Sequence, residues 1–283
     1  FGGSYGFYNY YDTDVYGYED EDLKTIRQMP TQHNSFVNVR PNYNKDNRLA
    51  AVFGAGTGSP HDRRGDAAQQ HSYVLIDIPQ DQEQFRYTQI FGAGAYNGLG
   101  MGKPYSETVQ TDPTTNEISL LDEDEANEFS AVIDLISGKV GAAYGGSYME
   151  GVTRRTVVNV PEGSTIDIGS IFGGAYGYDR MYPCDVFEAN VNYRSNDAVL
   201  YSFSGLDKEN DSFKGAIYGG NNSFRRTLYG KVNVSAIVWM QHPVYGLTQG
   251  NVFGGGYGNS TWSQYTEVNL EPGADVYQVY GGG

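Results

Sequence analysis

Few residues of this 283-residue chain are spaced for chemistry. Gly2-Gly3-Ser4-Tyr5-Gly6 matches the G-x-S-x-G of a nucleophile elbow. That motif needs a strand-to-helix turn inside an α/β sheet. No such context surrounds Ser4, which belongs to a repeated glycine box, so the match is read as coincidence. Gly54-Ala55-Gly56-Thr57-Gly58 is only loosely like a phosphate loop: it is not G-x-G-x-x-G and no lysine follows. His61 and His71 stand in or beside a polar loop without the His and carboxylate spacing of a metal site. Asp122-Glu123-Asp124-Glu125 lacks the alternating ligands of a calcium loop and reads as a solvated acidic face. Paired carboxylates for glycoside hydrolysis meet in space rather than in sequence. The 34 acidic residues offer opportunity for such a pair but no motif. No catalytic, cofactor-binding or metal-ligating residue is therefore assigned, and no cofactor is expected.

What remains is aromatic. Tyr8, Tyr10, Tyr16 and Tyr18 run into Glu19-Asp20-Glu21-Asp22, a combination suited to sugars or a cation. Tyr201, Trp239 and Tyr245 lie on two further loop-like stretches. These seven residues are the candidate ligand contacts. The competing reading is that the same rings pack their loops onto the body of the protein.

Net charge narrows the partners. At −15 the chain repels phosphate backbones, which disfavours nucleic acid. No apolar run approaches 18 residues, so no transmembrane helix is expected, and no signal peptide is expected within these residues. The single cysteine, Cys184, reads as a small buried hydrophobe.

The elements that must position these residues come from a repeat. Val252-Phe253-Gly254-Gly255-Gly256 has versions at Phe1, Phe53, Phe91, Tyr144, Phe172, Tyr218 and Tyr280. Each is an aromatic, after the first also preceded by an aliphatic, followed by small residues. A second box, aliphatic–Asn/Asp–aliphatic, alternates with it. Its copies are Val37-Asn38-Val39, Ile76-Asp77-Ile78, Ile133-Asp134-Leu135, Val158-Asn159-Val160, Ala189-Asn190-Val191, Val232-Asn233-Val234 and Val268-Asn269-Leu270. Alternation of apolar and polar residues is the signature of strands with one buried face.

The shortest periods are 28 residues, from Tyr144 to Phe172, and 27, from Phe253 to Tyr280. Such a period signals a repeat architecture. It is too short for a propeller blade and lacks a helical apolar period. The fold expected is all-β: a right-handed parallel β-helix solenoid of about seven coils, continuous over residues 1–283. Long insertions are expected at 5–34, 57–71, 95–129, 194–214 and 239–250. Phe172, Tyr218, Phe253 and Tyr280 should stack on one wall, and Val158, Val232 and Val268 should be buried. The box glycines are expected at a tight corner that needs φ > 0. Aligned Asn residues should form a ladder, which Asp77 and Asp134 would interrupt. Both termini fall inside a glycine box without an atypical capping repeat, which predicts an excerpt of a longer chain.

These boxes, above all Asn-Val-Phe-Gly-Gly-Gly at 251–256 and Val-Tyr-Gly-Gly-Gly at 279–283, resemble the large glycine-rich repeat proteins that Bacteroidetes of gut and mouth secrete to their surface. The resemblance spans nearly the whole chain and is structural. It implies an adhesin-like parallel β-helix, extracellular or attached to the outer membrane, and carries over no site residue. The long, unequal insertions depart from the regular pattern and argue against a plain spacer. The function expected is non-enzymatic adhesion or capture of a glycan or host protein. A polysaccharide-active β-helix enzyme, lyase or hydrolase, is the first alternative. A structural subunit of an outer-membrane or fibrous assembly, with neighbouring subunits as partners, is the second.

Overall fold

A computed structural model describes residues 32–40, 49–56, 69–82, 85–95, 109–111, 114, 118–120, 130–149, 151, 153–177, 184–201, 215–242 and 245–283. Within them the protein is all-β, built on one mostly parallel sheet of many strands, compatible with a β-solenoid. In chain order the strands are β1 (Gln32–Val39), β2 (Ala51–Phe53), β3 (Gln69–Asp77), β4 (Gln89–Phe91), β5 (Val109–Thr111), β6 (Ile118–Leu120) and β7 (Ser130–Tyr144). There follow β8 (Tyr148–Met149), β9 (Thr153–Val160), β10 (Thr165–Phe172), β11 (Tyr176–Gly177), β12 (Val186–Tyr193) and β13 (Val199–Tyr201). The remainder are β14 (Ala216–Tyr218), β15 (Asn222–Val234), β16 (Trp239–His242), β17 (Gly246–Gln249), β18 (Asn251–Phe253), β19 (Tyr257–Leu270) and β20 (Gln278–Tyr280).

The asparagine boxes form one parallel row, β1–β3–β7–β9–β12–β15–β19. Its register aligns Val37, Val74, Ile133, Val158, Val191, Val232 and Val268. The five central members are fully buried, while Val37 and Val268 in the flanking strands are only partly covered. Val158 and Val232 thus behave as the pattern predicts. Val268 does not, because among the described residues β19 has a partner strand on one side only.

The glycine boxes form the second row, from β2 through β4 and the ends of β7 and β10 to β14, β18 and β20. Here Phe53, Phe91, Tyr144, Phe172, Tyr218, Phe253 and Tyr280 make a continuous ring stack. Adjacent centroids are 4.6–5.0 Å apart and the planes diverge by 5–11°. In-register parallel pairing forces this, because strands 4.7–4.9 Å apart put identical positions at ring-stacking distance.

A third row carries the middle of β7, the start of β10, β13 and β16. Val199–Tyr201 and Trp239–Gln241 therefore sit inside the parallel pairing, not in the insertions expected at 194–214 and 239–250. Only from β17 does the second stretch leave the row, as an antiparallel hairpin with β16. A separate hairpin, β5–β6, lies within the 95–129 insertion.

The glycines play a different part from the one expected. None of the box glycines at positions 54, 92, 145, 173, 219 or 254 has φ > 0. What excludes a side chain is the next tier. A Cβ on Gly145 would collide with the carbonyl oxygen of Gly173 and lie 2.7 Å from Thr156 Cβ. The left-handed corner comes later, five residues after the aromatic. Met149 (φ 66), Ser223 (φ 75) and Gly258 (φ 107) occupy it. A non-glycine residue pays roughly 1–2 kcal/mol there. Ser223→Gly is therefore expected to raise stability by about 1 kcal/mol in urea unfolding, unless the lost Ser223 Oγ bond to Asn222 Oδ1 (2.9 Å) offsets it. Met149→Gly is the companion test without such a bond.

Candidate ligand-contact face

The outward positions of the first row carry the most ordered polar array. Asn269 Nδ2 donates to Asn233 Oδ1 (2.9 Å), Asn233 Nδ2 to Asn192 Oδ1 (2.8 Å), and Asn192 Nδ2 to Asn159 Oδ1 (2.9 Å). Asn159 Nδ2 then donates to Asp134 Oδ1 at 2.7 Å. The expected ladder exists, with two corrections. Asn192, not Asn190, is the member from β12, and the β3 position is Leu75, not Asp77. Asp134 does not interrupt the ladder but ends it as the final acceptor. An amide chain whose donors all point one way needs an acceptor without a proton at its end, and a carboxylate supplies one.

Asp134 also accepts a hydrogen bond from the Tyr73 hydroxyl on its other oxygen. Leu75, at the ladder position on the neighbouring strand, has nothing to donate or accept, so the array stops there. Tyr73 stacks on Phe36 (centroids 5.1 Å, 8° between planes). Burial, then the bond to Asp134 and its charge, push the Tyr73 hydroxyl up to about 12.

Two carboxylates on the strands of this row are paired. Glu188 takes Arg154 Nη1 at 3.0 Å and Arg155 Nε at 2.7 Å. Burial opposes its ionisation, but the two guanidinium groups prevail and hold the carboxyl below its ordinary value. Glu267 accepts from Tyr229, from Asn269 Nδ2 (2.6 Å) and from Lys231 Nζ (3.0 Å), and these bonds hold it at about 2.

These shifts set a pH window. Glu188 and Glu267 titrate lower folded than unfolded, so their contribution is present above the ordinary carboxylate value and is lost as pH falls. Tyr73 titrates higher folded than unfolded, and burial likewise raises Tyr144, Tyr193 and Tyr218. Their contribution is present below about 10 and is lost as pH rises through 10 to 12. Thermal melts should show a plateau between about pH 5 and 10 with a fall on each side. A melting temperature still rising at pH 11 would contradict these environments.

Where β9 and β12 end, the ladder borders an open groove of about 350 Å³. Asp134, Asn159, Asn192, Pro161, Glu162 and Arg194 line it. Arg194 follows β12 directly, and its backbone N–H donates to Val160 O at 2.8 Å. Glu162 stands in the turn after β9.

The residues chosen from sequence lie elsewhere. Tyr8, Tyr10, Tyr16 and Tyr18 fall outside the described residues, as do Ser4, His61 and Asp122 through Glu125. Tyr201 is buried in the third row. Its hydroxyl donates to Val140 O, with Arg86 O also within reach at 3.0 Å, and Arg86 covers its ring, so it packs the fold. Trp239 is half-buried in β16. Tyr245, 77 % exposed, stacks on His242 at the hairpin turn (4.6 Å) and remains available to a ligand. None of the described candidates lines the ladder groove. The signal missed was the outward polar member of the asparagine box, and the residue after the box, which carries Arg194.

Cys184 is buried among Ala175, Val186 and Ala189. Among the described residues no cluster of three or more His, Cys, Asp or Glu is placed to hold a metal ion, and no helix is long and apolar enough to cross a membrane. Compared with known proteins, the chain matches no family model, no curated protein and no solved structure.

Proposed function

We propose that the chain is a right-handed parallel β-helix of about seven coils that acts outside the cell, at its surface, as a non-enzymatic rod for adhesion or capture of a glycan or protein ligand. The observation that carries this reading is the outward asparagine ladder beside an open groove, a hydrogen-bonding strip spanning successive strands. Right-handed coiling follows from the general preference of parallel crossovers, about 98 %. The surface location rests on the sequence resemblance alone.

The hydrolase alternative asks for a carboxyl kept protonated near neutral pH to act as general acid. Glu188 and Glu267 are shifted the opposite way. The deciding experiment is a panel of immobilised polysaccharides and host proteins, scored for retention of the protein and for new sugar ends. Retention without new ends is expected. New ends would turn the reading to an enzyme, and no retention on any member would refute capture.

A stacked assembly is the second reading. β19 and β20 each pair on one side only among the described residues, an edge that a neighbouring subunit or a further tier of the same chain would cover alike. On the open side Leu270, Val279 and Tyr280 are exposed at 49 %, 41 % and 42 %. Sedimentation that shifts to larger species with concentration would support it; a constant monomer would not.

A further inference from the structure

We propose that the ladder groove is a subsite for a carboxylated sugar chain. Arg194 grips the carboxylate, and the amides of Asn159 and Asn192 take ring hydroxyls. The inference deepens the capture reading and rests on it.

Three properties of the groove select this ligand class. First, the backbone of the first row is consumed by parallel pairing on both sides of β9 and β12. A peptide strand therefore finds no free edge to extend here, and recognition must run through side chains. Second, those side chains are amides. Asn159 and Asn192 each spend one N–H and one oxygen lone pair on the ladder. An amide has a second N–H and a second lone pair, so each residue offers a donor and an acceptor side by side. Adjacent hydroxyls of a pyranose ring present the complementary pair. The amides recur at the strand spacing of about 4.8 Å, close to the rise of one sugar unit in an extended chain. Pro161, between them and Glu162, offers an apolar edge to ring C–H groups.

Third, the groove has one cation, Arg194, which makes no ion pair among the described residues. Its planar fork matches a carboxylate bidentately. Asp134 and Glu162 line the same groove, and both Asp134 oxygens already accept from Asn159 and Tyr73, so a ligand carboxylate is placed at Arg194 and away from these two acids. A chain with one carboxylate on a sugar ring fits the single arginine and the neutral amides together.

The test uses the full chain and four probes: polygalacturonate, alginate, hyaluronan and polysialate. Each is compared with its own carboxyl-reduced form by affinity electrophoresis. Retention by at least one acidic probe is expected, weakened about tenfold or more by carboxyl reduction and likewise by Arg194→Gln. Arg194 is exposed at the strand end, so the variant should melt as the parent does. Glu162→Gln should hold or tighten retention. No retention by any of the four, or retention indifferent to Arg194→Gln, overturns the proposal. If neutral glycans or host proteins are still retained, capture stands and only the groove assignment falls. If nothing in either panel is retained, both fall.

Discussion

Gly145→Ala should destabilise the protein by about 3 kcal/mol or more, a large effect for one methyl group. The new Cβ would lie against Gly173 O, 2.7 Å from Thr156 Cβ and 2.9 Å from Thr156 Oγ1. These are backbone and β-branched atoms, which cannot swing aside. Relief requires the tiers to part. Parting strains the Gly145 N–H bond to Phe172 O (2.9 Å), the Thr156 Oγ1 bond to Gly173 O (2.5 Å) and the Tyr144–Phe172 stack at 5.0 Å. Buried hydrogen bonds lost this way cost about 1 kcal/mol or more each. The control is Gly281→Ala at the same box position in β20's tier. A Cβ there meets nothing within 4 Å, so the change should cost only a few tenths of a kcal/mol. Urea unfolding of both variants separates the cases. Equal losses would mean that close approach between tiers is not what the box glycines provide.

Phe172→Ala carries the second large effect, about 3–5 kcal/mol. The ring is fully buried and sandwiched between Tyr144 (5.0 Å, 7°) and Tyr218 (4.8 Å, 6°). Its removal loses the transfer term, leaves a cavity, and deletes two ring contacts worth about 0.5–1.5 kcal/mol each. Tyr280→Ala removes a half-exposed ring that among the described residues stacks on one ring, Phe253 at 4.6 Å, and should cost about 1 kcal/mol. Stability in a stacked array is a sum of unit and neighbour terms. A loss in the middle should therefore exceed one at the edge. A reversed order in denaturant titrations would break the stack as the source of cohesion.

Two of the three rows were legible in the sequence because their side chains are constrained on both faces. A valine inside and an asparagine outside recur in β9, β15 and β19, and the aromatic before glycine recurs in every tier of the second row. Register was legible only where one alignment was possible. Ala189-Asn190-Val191-Asn192-Tyr193 offers two asparagines at period two, and both fit the box. Pairing with Val157-Val158-Asn159 selects Asn192. The third row left no motif, since Ile168, Leu200 and Met240 align with only bulk in common. The groove was illegible for another reason. Glu162 and Arg194 stand 32 positions apart and meet only because β9 and β12 end side by side. The sense of Asp134 also needed the structure. In sequence it breaks a run of asparagines; in space it completes their hydrogen bonding.

Axial stacking of the strands underlies both the cohesion of the parallel rows and the ladder groove, and a distance can test it directly. Arg40 and Glu271 are exposed and follow the first and last strands of the first row, six strand spacings apart. Spin labels placed there by cysteine substitution, with Cys184 changed to alanine, should lie about 29 Å apart, from roughly 4.8 Å per strand, before the label arms are added. A single narrow distribution near that distance is the predicted result. A distribution centred below about 20 Å, or one spread too widely to define a distance, would contradict the stack and with it the groove.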